Sequence, residues 1–312
     1  MFEVFRTETS VLEGRAMKTI AGKRVLVTGS GHGLGLEIAR AFARGGAEVL
    51  ITDRDPQRVE EAVFRLRSLN FKAAGFVMDV TDAADVRAVR EQILTDFGSI
   101  DVLINNAGIV TGGQFLDVPL EKHLATYDVN SAGPVIVTHM FLPDLMAQEE
   151  GHLVNVASAS ALIPLPNAAT YASSKWAVLG FTESLREELR LAGHSNITVT
   201  AVCPSYINTG MFNGVQAPLL TRLLTPEWLA NEIVTCVLRR RETLIAPKLV
   251  NLLPLAKATW PRRAFGWLLD VLGVSSSMSN WQGHGAAHAP TPAAPVVETV
   301  VKSTLEPVRS AS

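Results

Sequence analysis

Residues 24–46, RVLVTGSGHGLGLEIARAFARGG, run from a β-branched apolar segment through a glycine-rich turn into a helix opening at GLGLEIARAF. The same strand, turn and helix succession recurs outward from there. AEVLIT at 47–52 leads to DPQRVEEAVFRLRSLN, KAAGFVMDV at 72–80 leads to DAADVRAVREQILTDFG, and IDVLINNAG follows at 100–108. GHLVNVAS (151–158), NITVTAVCP (196–204) and ETLIAP (242–247) supply later strands, with a helix at YASSK between the first two. Continuous apolar strands separated by helices predict a parallel sheet covered on both faces. The expected fold is α/β: a Rossmann-like, doubly wound parallel sheet in three layers, α/β/α, forming a single domain with a C-terminal extension. The expected boundaries are an N-terminal extension at 1–16, the Rossmann domain at 17–250, an apolar extension at 251–283 and a disordered tail at 284–312.

A chain of 312 residues with 47% hydrophobic content can bury a sizeable core. A net charge of -2 and a pI near 6.4 lack the electrostatic footprint of a nucleic-acid binder. The local run Arg239, Arg240 and Arg241 follows EWLANEIVTCVL and complements the negative end of that helix. Cys203 and Cys236 form no metal-ligand spacing, which fits free thiols in a reducing, cytoplasmic compartment. His284 and His288 share a metal-like spacing but sit in the low-complexity tail, so no metal is expected. Glu3, Arg6, Glu8, Glu13 and Arg15 interrupt the apolar core that a secretory signal needs, and MKTIAGKRVLVTG from Met17 reads as a natural start. Apolar runs stay shorter than about 18 residues, so no transmembrane helix is expected.

In YASSKWAVLGF (171–181), Tyr171 and Lys175 stand about one helical turn apart on the same face. An ammonium beside a phenol favours the phenolate, moving it from about 10 toward a pH where it can exchange a proton with a substrate. The alternative is that Tyr171 packs and Lys175 merely snorkels. TGSGHGLG (28–35) does not fit G-x-G-x-x-G in register. Its glycines still permit a tight turn and close approach to a pyrophosphate, and the following helix offers its positive N-terminus. A glycine-rich turn without a ligand is the alternative there, and His32 within it reads as a solvent-facing loop residue. A hydrolase built on Ser158 is the chemical rival, but VASAS is no G-x-S-x-G elbow and no histidine is placed to serve it.

Thr28, Gly29, Gly33 and Gly35 do fit T-G-x-x-x-G-x-G, and at the first strand-to-helix turn that spacing resembles the short-chain dehydrogenase/reductase family. The resemblance extends over nearly all of 18–250, through MDVTD, NNAG, DVNSAG, NVASASA, YASSK and CPSYINTG in the family's order. It implies a dinucleotide held by Thr28, Gly29, Ser30, Gly33, Leu34 and Gly35, then by Asp53 and Arg54, by Asp79 and Val80 at the adenine, and by Asn106, Ala107 and Gly108. Pro204, Ile207 and Thr209 match the segment that closes over the nicotinamide. The resemblance also implies a catalytic set of Asn130, Ser158, Tyr171 and Lys175, with Tyr171 and Lys175 also touching the cofactor. Tyr171 would carry the proton, Lys175 would favour the phenolate and hold the nicotinamide ribose, and Ser158 would hydrogen-bond the reacting oxygen. Asn130 would support a water and proton path to Lys175. Ser158 lies thirteen residues before Tyr171, the family's usual separation, with Ser160 as the adjacent candidate. Ser158 could instead cap a strand end, and Asn130 could bridge backbone groups.

Asp53 ends the second strand, where a carboxylate accepts hydrogen bonds from ribose hydroxyls and repels a phosphate, so NAD is expected over NADP. Arg54 could pair with that phosphate, but strand alternation should send it to the opposite face. FNGVQAPLLTRLL (212–224) corresponds to the family's substrate lid, and its apolar side chains suit an apolar substrate. The extension 247–283 and VASASALIPLPNAATYASSK look most like the branch containing retinol and hydroxysteroid dehydrogenases. Trp260, Trp267, Leu268 and Leu269 with Lys257, Arg262 and Arg263 suit an interfacial membrane helix, or a helix packed on the core or on another subunit. Pro254 and Pro261 break the run into short pieces and favour packing. The resemblance thus implies an NAD(P)-dependent enzyme interconverting an apolar alcohol (retinoid, steroid, long-chain or aryl) and its carbonyl. It implies a homo-oligomer, dimer or tetramer, in the cytoplasm, with peripheral contact at the inner membrane surface left open. The alternatives are a non-catalytic dinucleotide-binding sensor or scaffold, and an NADPH-dependent carbonyl reductase.

Overall fold

The β-branched runs lie side by side in a computed structural model, which describes residues 17, 19–219, 221 and 223–283. The extension 1–16 and the tail from 284, with His284 and His288, lie outside the described residues. The elements follow as β1 (Arg24–Val27), α1 (Gly33–Arg44), β2 (Glu48–Asp53), α2 (Pro56–Ser68), β3 (Ala73–Val77), α3 (Ala83–Asp96), β4 (Val102–Asn105), α4 (Leu120–Tyr127) and α5 (Gly133–Met146). Next come β5 (Gly151–Val156), α6 (Ala169–Leu191), β6 (Ile197–Pro204), α7 (Pro226–Leu238), β7 (Thr243–Ala246), α8 (Leu252–Thr259) and α9 (Arg262–Val271). The seven strands pair in parallel in the order β3-β2-β1-β4-β5-β6-β7. The order reverses between β1 and β4, which opens a crevice beyond their carboxyl ends.

Strand alternation divides the core between the two faces of the sheet. Val25, Val27, Val49, Ile51, Val102 and Ile104 pack with Ile38 and Phe42 of α1, Leu66 of α2 and Ile233 of α7. The intervening Leu26, Leu50, Leu103 and Leu153 pack with Val89 of α3, Phe141 of α5 and Leu189 of α6. Each such fully buried side chain contributes about 1.5–3 kcal/mol of transfer free energy, which is why the strands are apolar on both faces. Short local signals start the helices: Asp55 accepts from the Gln57 and Arg58 N–H groups, and Asp82 from those of Ala84 and Asp85. By contrast, α1 starts at His32 with no side-chain cap.

Two segments differ from the expectation. The third strand ends at Val77, because the Asp79 carboxylate accepts from Thr81 N–H and Oγ1 and closes a turn there. Pro254 does not interrupt the extension, since it occupies the first turn of α8, where a missing N–H leaves no intrahelical bond unmade. Pro261 does separate α8 from α9. Phe265 and Leu269 of α9 are buried in a third cluster with Tyr171, Tyr206 and Met278, so the extension packs on the domain.

Candidate active site

The glycine-rich turn is built to let backbone approach a ligand. The buried Thr28 Oγ1 accepts from the Asn106 and Ala107 N–H groups, each at 3.0 Å, and Asn106 Nδ2 donates back to the Thr28 and Gly29 carbonyls. The turns after β1 and β4 are thereby locked together. Gly29 has φ +60, and a Cβ there would sit 2.8 Å from Ala107 Cα; a Cβ on Gly35 would overlap the Gly29 carbonyl and lie 2.8 Å from Ser30 Cα. Only glycine leaves that cradle open, and the uncapped first turn of α1 faces it with its positive end. Gly33, Leu34 and Gly35 border the cleft. Thr28 and Ser30 are turned inward instead: Ser30 Oγ donates to the Val27 carbonyl at 2.7 Å and accepts from Thr52 N–H. They brace the loop from behind.

At the end of β2, Asp53 is 6% exposed and accepts from the Gly31 and Asp55 N–H groups. His32 Nδ1 lies 3.6 Å from its carboxylate, so His32 engages Asp53 rather than facing solvent alone. Burial by itself would raise the Asp53 carboxyl, but hydrogen bonds from His32 and Asp55 and the charges of His32 and Arg58 outweigh it and hold the group below its ordinary value. Arg54 is exposed and borders the cleft with Asp53, because the strand ends at Asp53 and alternation stops there. Asp79, Val80, Asn106, Ala107 and Gly108 line the next stretch, followed by Pro204, Ile207 and Thr209 beyond β6.

The polar centre lies opposite the glycine turn. On α6, Tyr171, Lys175, Val178 and Thr182 form the buried stripe at helical spacing. Lys175 Nζ donates to the Val156 carbonyl at 2.9 Å and sits 6.0 Å from the Tyr171 ring centroid. Ser158, just past β5, accepts from Ser160 N–H, and its hydroxyl hydrogen-bonds the Tyr171 phenol. Ser160 Oγ is buried without a hydrogen-bond partner among the described residues. Burial drives the Tyr171 phenol up to about 12, with the Ser158 hydrogen bond opposing the rise and Tyr206 adding to it. Burial likewise drives the Lys175 ammonium down to about 8. This reverses the direction expected from the one-turn spacing. Both groups are desolvated, and the ammonium is spent on a carbonyl rather than on the phenol oxygen.

Asn130 occupies a single π turn, Asp128–Ala132. Pro134, four residues on, has no N–H to offer the Asn130 carbonyl, so the ordinary helical bond is missing there. The Asn130 side chain accepts from Ile109 N–H at 2.8 Å and donates to the Ile109 carbonyl and to Ser174 Oγ. It therefore does bridge backbone groups, and it borders the same centre. A Cβ on Gly108 would lie 3.3 Å from Asn130 Oδ1 and 3.4 Å from Lys175 Nζ.

Gly29, Asp53, Asp79, Ser158, Tyr171 and Lys175 share one cleft of about 1670 Å³, beyond the roughly 300–1,000 Å³ of a pocket for one small molecule. A dinucleotide and a second ligand both fit. Away from the glycine turn the walls become apolar, with Ile163, Leu165, Phe212, Leu253, Val274 and Trp281. Phe212 meets Tyr171 and Tyr206 edge-on, at 6.1 and 5.2 Å between centroids. Trp281 lies against Gly112 and donates from Nε1 to the Met211 carbonyl at 3.0 Å, while Tyr206 Oη and Ser277 Oγ are 2.7 Å apart. Sequence reasoning missed Tyr206, Val274 and Trp281 as cleft residues. No spacing ties them to YASSK.

A family model described as short chain dehydrogenase matches residues 23–219. The chain is 33% identical to epidermal retinol dehydrogenase 2 of Homo sapiens over 284 residues, covering 90% of this chain and 92% of that one. It is 31% identical to estradiol 17-beta-dehydrogenase 11 of Macaca fascicularis over 249 residues, covering 79% and 82%. A short chain dehydrogenase/reductase of Burkholderia phymatum in complex with NAD superposes with a TM-score of 0.70 at 26% identity, over 78% of this chain and 96% of that one. L-sorbose reductase of Gluconobacter frateurii, complexed with NADPH and L-sorbose, superposes with a TM-score of 0.67 at 26% identity, over 73% and 96%. With a parallel sheet of matching form and a cleft at its carboxyl edge, the chain belongs to the short-chain dehydrogenase family, in the retinol and hydroxysteroid dehydrogenase branch, and is an NAD(P)-dependent oxidoreductase acting on CH–OH groups.

Proposed function

We propose that the chain interconverts an apolar alcohol of retinoid, steroid, long-chain or aryl type and its carbonyl, with Tyr171 as the proton carrier. The observation that carries this reading is that Ser158, Tyr171 and Lys175 line one cleft together with apolar side chains such as Phe212, Leu253 and Trp281, with the buried Asn130 beside Gly108 behind its wall. Gly29, Gly33, Gly35 and the start of α1 would hold the pyrophosphate, Asp53 the adenosine ribose, and Lys175 the nicotinamide ribose. When bound, the dinucleotide supplies the hydride acceptor or donor. Ser158 orients the reacting oxygen, and Tyr171 takes the hydroxyl proton in oxidation or gives one to the carbonyl in reduction. NAD is the preferred cofactor on this reading, because the Asp53 carboxylate would repel a ribose phosphate.

A second reading is an NADPH-dependent carbonyl reductase, favoured by the exposed Arg54, which borders the cleft beside Asp53 where a guanidinium could pair with a ribose phosphate. Apolar Leu120, Leu124, Tyr127 and Val135 are exposed on α4 and α5 and suit a subunit contact in a homo-oligomer. Buried free thiols at Cys203 and Cys236 suit the cytoplasm, with a membrane surface as the source of poorly soluble substrate. The test is turnover of steroid, retinoid, long-chain and aryl alcohols with NAD and NADP, read at the nicotinamide absorbance, for wild type and Tyr171→Phe. The variant should lose about 100-fold or more in kcat while still binding dinucleotide, since the ring remains packed. Near wild-type kcat in Tyr171→Phe would sink the mechanism.

A further inference from the structure

We propose that Lys257 of α8 is a positioning residue for the reaction, acting with Trp176 of α6 to hold the turn that carries Ser158, an inference that rests on the reading of Ser158 and Tyr171 as the pair that handles the proton. Ser158 leads into a single 3-10 turn, Ala159–Ala161. Its backbone bonds run from Ala161 N–H to the Ser158 carbonyl at 2.9 Å and from Leu162 N–H to the Ala159 carbonyl at 3.0 Å. A helix this short has little stability of its own. The Ser158 hydroxyl accepts from Ser160 N–H at 3.1 Å while it hydrogen-bonds the Tyr171 phenol, so a shift of the turn moves the reacting hydroxyl with it.

Three side-chain donors fix this segment from outside, and they fall on both sides of Ser158. Lys175 Nζ donates to the Val156 carbonyl at 2.9 Å, Trp176 Nε1 donates to the Ser160 carbonyl, and Lys257 Nζ donates to the Leu162 carbonyl at 3.3 Å. Lys175 and Trp176 are neighbours on α6, whereas Lys257 arrives from α8, outside the residues 23–219 that the family model matches. Its ammonium also sits 3.7 Å from the centroid of the Trp176 ring, well inside the range of a cation–π contact. One charge thus ties both the indole and the end of the turn.

A lysine on a surface helix ordinarily keeps its ammonium in water. The Lys257 ammonium is partly buried, and burial lowers it from its ordinary value. Asp270 is the single acid between residues 247 and 283, so a ring face and a carbonyl receive the charge instead. Neither Lys257 nor Trp176 borders the cleft, whereas Ser158, Ala159, Ser160 and Ile163 do, so an effect of Lys257 on rate passes through the turn. The direction of that effect on pH dependence follows from the Tyr171 surroundings. Burial and Tyr206 push the phenol up, the Ser158 hydrogen bond opposes them, and Lys175 stays 6.0 Å from the ring centroid. Loosening Ser158 therefore moves the phenol further up, and alcohol oxidation, which uses the phenolate, gains its rate at higher pH.

The experiment uses the full chain and the variants Lys257→Met, Lys257→Arg, Trp176→Phe, Ser158→Ala and Lys257→Met/Ser158→Ala, with Lys248→Met as an exposed cation outside the clamp. Amide hydrogen exchange, NAD binding by calorimetry, and oxidation of decanol and benzyl alcohol with NAD across pH are read for each. Lys257→Met and Trp176→Phe should each speed exchange at Ser160, Ala161 and Leu162 and lower kcat by about tenfold, the scale of one lost hydrogen bond. Their rate profiles should shift alkaline, with NAD affinity unchanged within about twofold. Lys257→Arg should recover the rate, because a guanidinium both stacks on the indole and donates; it also guards against Lys257→Met failing to fold. In the Ser158→Ala background Lys257→Met should cost little further rate, since it has no hydroxyl left to position. Unchanged exchange at 160–162 in Lys257→Met, an equal loss of rate with and without Ser158, or the same loss in Lys248→Met would overturn the inference. Near wild-type kcat in Ser158→Ala would overturn the reading of Ser158 and the inference with it. No turnover of either alcohol by wild type would overturn the apolar-alcohol reading, while the exchange rates by themselves uphold or overturn the hold of Lys257 on the turn.

Discussion

Replacing Lys175 with methionine tests the buried ammonium through stability and rate at once. Burial holds Lys175 at about 8 against an ordinary 10.5, so the folded state disfavours its charged form by roughly 3 kcal/mol, at about 1.4 kcal/mol per pH unit. Below about pH 8 the folded and unfolded chains both carry the proton, and the penalty is full. Between about 8 and 10.5 only the unfolded chain holds it, so stability rises with pH; above 10.5 the penalty is gone. Methionine keeps an unbranched apolar stem and removes the charge. It also strips the Val156 carbonyl of a donor at 2.9 Å, at a cost of about 1 kcal/mol. Lys175→Met should therefore be more stable than wild type by about 2 kcal/mol at pH 7 and less stable by about 1 kcal/mol above pH 10.5. Urea unfolding followed across that range reads the crossing directly. Turnover should fall by about 100-fold or more, with weaker dinucleotide binding because the ribose partner is gone. A variant less stable than wild type at pH 7, or a stability difference that does not change with pH, would refute the reasoning.

Gly35→Ala should abolish dinucleotide binding in calorimetry, because the new methyl overlaps the Gly29 carbonyl and rigid backbone must move, an overpacking cost of about 1–3 kcal/mol; unchanged affinity would mean that the ligand does not use this turn. Asp53→Ala should narrow the NAD-to-NADP ratio of kcat/KM and lower stability by about 1–2 kcal/mol, since the Gly31 and Asp55 N–H groups lose their acceptor. A wild-type kcat/KM higher with NADP would contradict the cofactor preference. Trp281→Ala should raise kcat/KM for bulky alcohols relative to short ones, at a stability cost of about 2 kcal/mol, since its ring closes the cleft against Gly112; an unchanged substrate profile would remove Trp281 from the substrate wall.

The strands, their order along the chain and the doubly wound parallel sheet were legible in the sequence, because each rests on a local signal. The runs at 24–27, 48–53 and 151–156 carry consecutive apolar residues at 25–27, 49–51 and 153–154, as a sheet covered on both faces requires, and Asp55 and Asp82 mark helix starts within one turn. Parallel strands joined by helices leave one handedness and few orders open. Glycines at 29 and 35 likewise mark a turn where a Cβ has no room. What only the tertiary structure decided is how the distant pieces act on one another. The spacing of Tyr171 and Lys175 suggested an acidified phenol, whereas their joint burial raises one and lowers the other. Asp53 proved to be tied to Gly31, Asp55 and His32, and Trp281 came to close the cleft from the far end of the described chain. Backbone geometry and periodicity are set by neighbours in sequence, whereas desolvation and Coulomb energy depend on distances across the fold, and those arise only when the layers pack.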